Sequence, residues 1–235
     1  MPTIGMIGGI APPSTIDYYR LLIDGYQARR PDGSQPLIVI NSIDLQTGIR
    51  LVSAAAKGEV EPFVAFMAAE VDKLARAGAT FGFFAANTPH LAFDAIQARV
   101  SIPLVSIAAA TAEDAHRRGL RHLGLLGTRF TMEAGFYARE LGHHGIRVVA
   151  PDEPDRGWVH DHYLGELTRN IFRPETRDGM RAVIDRLRTG HGIDGVVLGG
   201  TELPLLLRDG APLPIPALDT TQIHVAALLD RYLQD

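Results

Sequence analysis

The chain has 235 residues, 46% hydrophobic and 21% charged, with 24 Gly, 15 Pro and no Cys, a composition that can bury a sizeable core and excludes disorder, collagen and coiled coil. Its 23 basic and 27 acidic side chains leave a net charge of −4 with no long run of either sign, which argues against a nucleic-acid face or a polybasic membrane patch. The absence of cysteine removes disulfides, thiolate metal sites and cysteine nucleophiles together.

In chain order, short apolar runs alternate with longer amphipathic ones, the pattern of a largely parallel sheet flanked by helices. A strand over 3–7 ends at Gly8-Gly9. A helix over 14–27 follows, with Ile16, Tyr19, Leu22 and Ile23 expected on its buried face and both Tyr18 and Tyr19 expected in the core. A strand over 37–41, a helix over 61–77 stopped by Gly78, and a strand over 81–86 come next. The second half repeats that grammar: a helix over 107–118 stopped by Gly119, a strand over 120–126 closed by Gly127, a helix over 131–141 and a short strand over 148–150. Helices over 158–169 and 175–189, a strand over 195–198 and a last helix over 221–233 complete it. The longest nearly apolar stretch, 102–112, is shorter than the roughly 20 residues a bilayer span takes. The opening residues carry no basic leader, so a cytoplasmic setting is expected.

The letters repeat as well. GATFGFFAANT (78–88) lies over GIDGVVLGGTE (192–202) at an offset of 114, and TIGMIGG (3–9) over HLGLLGT (122–128) at an offset of 119. The expectation is an α/β fold of two pseudo-symmetric Rossmann-like lobes with mainly parallel sheets and an inter-lobe cleft. The lobes span 1–100 and 101–214, and the helix of 215–235 is free to return to the first. In such sheets ligands sit beyond the carboxyl ends of strands, which singles out the loops 8–15, 86–90, 127–132 and 200–204.

The first of these loops, GGIAPPST, allows close backbone approach at its glycines, and Ser14 can cap the following helix. It lacks a dinucleotide fingerprint; only Asp44 stands near the place a ribose-binding acid would take. Asn87 and Thr88 at a strand's carboxyl end can hold a carboxylate or cap the next turn. Thr201 and Glu202 are their counterparts in the second half, and Thr128 or Thr131 can cap the helix beginning there.

GGIAPPSTIDYYR, AANTPH, LLGTRFTMEAGFY, LGGTELPLLL and LDTTQIHVAALLD, in this order along nearly the whole chain, resemble the signatures of the aspartate/glutamate racemase family, which are pyridoxal-phosphate-independent enzymes. The resemblance implies two pseudo-symmetric α/β lobes, no cofactor, a homodimer, and a small amino acid or α-substituted carboxylate as ligand. It implies two thiolates, one per lobe, carried in C-N-T and G-C-T-E, that remove and return the α-proton on opposite faces. In this sequence those positions are Ala86 and Gly200. Neither side chain accepts a proton, so two-thiol racemisation is excluded for this chain. Ala11 also stands where the family often has Gly. The family includes decarboxylases and cis–trans isomerases, but these still use at least one of the cysteines.

The remaining candidates for proton transfer are Glu202, two residues after Gly200, and His90. Each has a structural alternative: Glu202 as a helix-start cap, His90 as a hydrogen-bonded histidine. Ser14, Thr15, Asn87, Thr88, Thr131 and Thr201 are expected to hold a carboxylate, since unactivated hydroxyls are poor bases. Arg50 or Arg169 could meet a second carboxylate. No metal site is expected: His160 and His162 are two apart on a helix and diverge, and His143-His144 falls at a helix end. His224 is expected to pack or to support the site. Three functional readings remain open at this stage. They are an enzyme using non-thiol isomerase or lyase chemistry, a catalytically silent carboxylate-binding protein, and an engineered inactive racemase. A generic nucleotide-binding α/β protein is the reading from outside the family.

Overall fold

The computed structural model describes residues 2–208 and 212–234. Three strands, β1 (Ile4–Gly8), β2 (Ile38–Ser42) and β3 (Phe81–Phe84), form a parallel sheet in the order β2-β1-β3. Four more, β4 (His122–Gly127), β5 (Arg147–Val149), β6 (Gly195–Gly199) and β7 (Ala217–Asp219), form a second parallel sheet in the order β5-β4-β6-β7. Every residue of β1, β3 and β6 is buried, as expected for strands covered on both faces by crossover helices. No helix among the described residues is long and apolar enough to cross a membrane.

The internal repeat extends to strand register. Ile4 pairs with Phe81 in the first sheet, and Leu123 pairs with Gly195 in the second. The offsets read from the letters, 119 and 114, carry Ile4 onto Leu123 and Phe81 onto Gly195. The β1–β3 and β4–β6 ladders are therefore the same ladder built twice. The correspondence continues outward: Gly82 bridges Leu104 where its counterpart Val196 pairs with Ala217. The first sheet has a single bridge where the second has a short fourth strand.

The chain divides into two compact units, one running to Ile107 and resuming at Thr221, the other spanning Ala108–Thr220. These boundaries lie beyond the expected 100/101 and 214/215. Leu104 bonds to the first sheet, and β7 keeps 217–219 with the second.

In the first unit the helix Pro12–Arg29 starts earlier than predicted, because two prolines occupy its first positions, where a missing N–H costs nothing. Its buried face is Ser14, Tyr18, Leu22 and Tyr26, four apart. This face packs with Val225, Leu228, Leu229 and Tyr232 of the last helix, Thr220–Gln234. The expected face was therefore rotated. Ile16 is 70% and Tyr19 48% exposed, because the line of Ser14, Tyr18, Leu22 and Tyr26 sets the buried face and residues 16 and 19 lie off it. The turn after β1 depends on Gly9, whose φ is +83° and whose missing Cβ would run into the Ile43 carbonyl. Gly9→Ala is expected to destabilise the fold by about 2 kcal/mol or more, read as a lower urea midpoint at unchanged m-value.

Two predicted helices are broken in the second unit. The helix expected over 131–141 is two, Arg129–Glu133 and Phe136–Gly142, with Gly135 between them at φ +76°. The helix expected over 158–169 runs instead from Asp155 to Gly165 and is followed by a 3₁₀ turn, Leu167–Arg169, which Asn170 ends in the left-handed region. The helix Leu45–Ala55, after β2, was not anticipated; Asp44 caps it by accepting from the Thr47 N–H at 2.8 Å.

Candidate functional site

In the first unit the carboxyl ends of β1 and β3 are tied together by side chains. Ser14 lies within the first helical turn and does not cap it, because the helix begins at Pro12. Its fully buried hydroxyl has the carbonyls of Ala11 (3.0 Å) and Ala85 (2.9 Å) as acceptors, joining the helix to the end of β3. Thr15 Oγ1 accepts the Gly9 N–H at 2.9 Å. Both residues shape the loop with the groups that were expected to hold a ligand. Ala86 and Asn87 are buried at the end of β3, and Thr88, half-buried, opens a 3₁₀ turn through Ala92.

His90 is buried in that turn. Its Nε2 accepts the Ile107 N–H at 3.1 Å, which places the ring proton on Nδ1, 3.1 Å from the Asn87 carbonyl. The ring stacks on Phe93 with centroids 5.0 Å apart and planes at 9°. Burial lowers its pKa to about 4, against smaller upward effects from the Asn87 and Ala86 backbone. With both nitrogens in backbone bonds, the ring acts as a neutral clip between the turn after β3 and the start of the helix Ile107–Arg117. His224 is built likewise. It takes the Tyr18 hydroxyl on Nδ1 (2.9 Å) and gives Nε2–H to the Val105 carbonyl (3.1 Å), and burial lowers its pKa to about 3.

In the second unit, Thr128 caps the helix Arg129–Glu133 by accepting from the Thr131 N–H at 3.2 Å, and the two hydroxyls lie 3.2 Å apart. Thr131 also meets the glycines that end both central strands. Cβ atoms built on Gly127 and Gly199 would lie 3.1 and 3.2 Å from its side chain. Thr131 therefore stands where β4 and β6 finish side by side.

Beyond β6 come Gly200, Thr201 and Glu202. Glu202 occupies the N-cap position of the short helix Leu203–Leu207, but its carboxylate makes no capping bond. Oε2 instead accepts from the Tyr163 hydroxyl and from Thr201 Oγ1 at 3.1 Å. Glu202, Thr201 and Tyr163 are all buried. Burial, then the neighbouring carboxylate, push the Tyr163 phenol well above its ordinary pKa, so it carries its proton at neutral pH. A Cβ built on Gly200 would collide with the Tyr163 ring, with the phenol oxygen at 2.7 Å. Sequence reading missed Tyr163. It lies 39 residues from Glu202, in a helix whose aromatics read as core, and no local signal links it to Gly200.

The other candidates stand apart from these clusters. Arg50 and Arg169 are exposed. His160 Nδ1 accepts the Arg129 N–H at 3.1 Å, and His162 bonds its own helix at Trp158 O (2.9 Å) and packs on the Trp158 ring. His144 sits beside Glu113 and His116. Among the described residues there is no group of three or more His, Asp or Glu placed to hold a metal. Asp44 is committed to its helix cap.

A family model described as Asp/Glu/hydantoin racemase matches residues 7–228. Among solved structures, a candidate Asp/Glu racemase from Yersinia pestis superposes with a TM-score of 0.85 at 36% identity, covering 100% of both chains. An aspartate racemase homologue from Pyrococcus horikoshii gives 0.80 at 33% identity over 99% of this chain and 100% of that one. The aspartate racemase of Picrophilus torridus shares the fold, with a TM-score of 0.75 at 23% identity over 99% of this chain and 94% of that one.

Proposed function

Because the chain belongs to the Asp/Glu/hydantoin racemase family, we propose that it acts on a small amino acid or related carboxylate without cofactor or thiol. The chemistry is that of an isomerase or lyase in which Glu202 moves the proton. The observation that carries this reading is the buried Glu202 carboxylate beyond the carboxyl end of β6, engaged by Tyr163 and Thr201 instead of capping its helix. A carboxylate held away from water by apolar strand ends is a suitable base for an α-proton. In the unit that holds Glu202, Thr131 and Thr201 supply donors for a substrate carboxylate; in the other unit Asn87 and Thr88 stand at the end of β3, while Ser14 and Thr15 hold the first loop in shape.

A second reading, a silent carboxylate-binding protein, is favoured by one observation: in the first unit Ala86 offers no base, and both nitrogens of His90 are in backbone bonds. Proton NMR in D₂O with aspartate, glutamate and related small dicarboxylates separates the two readings, with calorimetric binding measured alongside. Loss of the α-proton signal for at least one compound is the expected result. Binding without exchange of any compound supports the silent receptor, and neither binding nor exchange removes this substrate class.

A further inference from the structure

The place of the side chain missing from Gly200 is filled. A Cβ there would lie 2.7 Å from both the Cζ and the hydroxyl oxygen of Tyr163, far inside ordinary van der Waals contact. A cysteine at this position is incompatible with Tyr163 as it stands, so Gly200 and Tyr163 fit each other as a pair. A replacement made only to delete a thiol would leave a hole; here a phenol from the helix Asp155–Gly165 occupies the space and bonds to Glu202. The hydroxyl therefore stands where a side chain at 200 would begin, with a carboxylate directly behind it and Thr201 Oγ1 donating to the same carboxylate oxygen.

From these contacts we infer that Tyr163 and Glu202 are a proton-transfer pair standing in for the family's second thiol, an inference that rests on the family reading above. The step balances within the pair and the substrate. The α C–H bond breaks, its proton passes to Tyr163 Oη, and the proton Tyr163 held passes to Glu202 Oε2. The C–H electron pair stays on the substrate, delocalised into its carboxylate, and Glu202 becomes the neutral acid. Tyr163 stays neutral before and after, so no phenolate forms beside a carboxylate, which the raised phenol pKa would oppose. The reverse passage returns a proton to the same face.

Tyr163→Phe keeps the ring that fills the space and removes the hydroxyl, hence both the relay and one donor to the buried Glu202, so exchange is compared at matched stability measured by melting. L-aspartate and L-glutamate are the probes, with α-proton exchange in D₂O and calorimetric affinity as the paired readouts. The expected result is exchange by the wild type that falls about 100-fold or more in Tyr163→Phe, with affinity held within about threefold. Exchange by Tyr163→Phe within about threefold of wild type overturns the pair and leaves the enzyme reading intact. Where the wild type exchanges neither amino acid, the proton-transfer role falls together with the proposed activity on these substrates, and the family membership stands. The fit of Tyr163 to Gly200 is then judged by melting alone. Gly200→Ala is expected to lower the midpoint by about 5 °C in the wild type and by less than about 2 °C beside Tyr163→Val. Equal losses in the two backgrounds overturn that fit.

Discussion

Taking the protein from pH 7 to pH 4.5 is expected to cost about 5 kcal/mol of folding stability. Two fully buried histidines account for most of it, and the half-buried His160, whose pKa burial also lowers, acts in the same direction. Burial lowers the pKa of His90 to about 4 and of His224 to about 3, whereas both titrate at about 6.5 in the unfolded chain. Between these limits the unfolded state takes up protons that the folded state refuses, so stability falls as pH drops below 6.5. Each unit crossed costs about 1.4 kcal/mol per histidine. The carboxylates whose pKa values are lowered, Asp32, Asp44, Glu61 and Glu153, begin to lose their contribution near the foot of this window, at about pH 5, and lose most of it below. Against a typical total of about 5–15 kcal/mol, the histidine effect alone brings the protein close to unfolding. Urea midpoints at pH 7, 6, 5 and 4.5 read the slope, and replacing His90 and His224 together by Gln flattens it. A wild-type slope of zero between pH 6.5 and 4.5 would show that neither histidine is held neutral.

Glu202→Gln is expected to lower α-proton exchange by about 10²–10⁴-fold while leaving affinity within a few-fold. The amide has the volume of the carboxylate, and its oxygen can still accept from the Tyr163 hydroxyl and from Thr201, so the packing beyond β6 is kept. What is lost is a group that can take a proton. Glu202→Ala tests something else, since it strips Tyr163 of its acceptor in a buried setting and destabilises the unit. The decisive comparison is therefore with the amide, at matched stability measured by melting. A Glu202→Gln variant that exchanges as fast as the wild type would remove Glu202 from the chemistry.

The sequence carried the fold well because its signals were local. Glycine-capped apolar runs marked the strands, and the two offsets that align Thr3–Gly9 and Gly78–Thr88 with later segments also predict the strand register. The misreadings were those that local pattern cannot resolve. Gly135 breaks a helix that periodicity carries straight through, Pro12-Pro13 move a helix start and take Ser14 out of its cap, and Tyr18 displaces Tyr19 from the core. The three-residue strand β7 lies directly after Pro216 and too few residues show its alternation.

The candidate site was legible by half. The resemblance directed attention to residues 86–90 and 200–202, and composition alone excluded thiols there. What spacing could not show is that both nitrogens of His90 are taken by backbone groups at Asn87 and Ile107, or that Gly200 is matched by a tyrosine 37 residues earlier in the chain. A glycine read in isolation looks like a deletion of function. The same glycine lies beside a phenol that is bonded to a buried carboxylate.

In the proposed chemistry Glu202 moves a proton at one face of the substrate, and the chain has no thiol to serve the other. The most direct measurement is the configuration of amino acid recovered after incubation with the enzyme in D₂O, read by mass for deuterium and by chiral chromatography for handedness. Deuterium at the α-carbon of L-aspartate or L-glutamate with the L configuration retained is the predicted result. Accumulation of the deuterated D isomer at the rate of deuterium uptake would contradict it, because that requires an acid and a base on opposite faces.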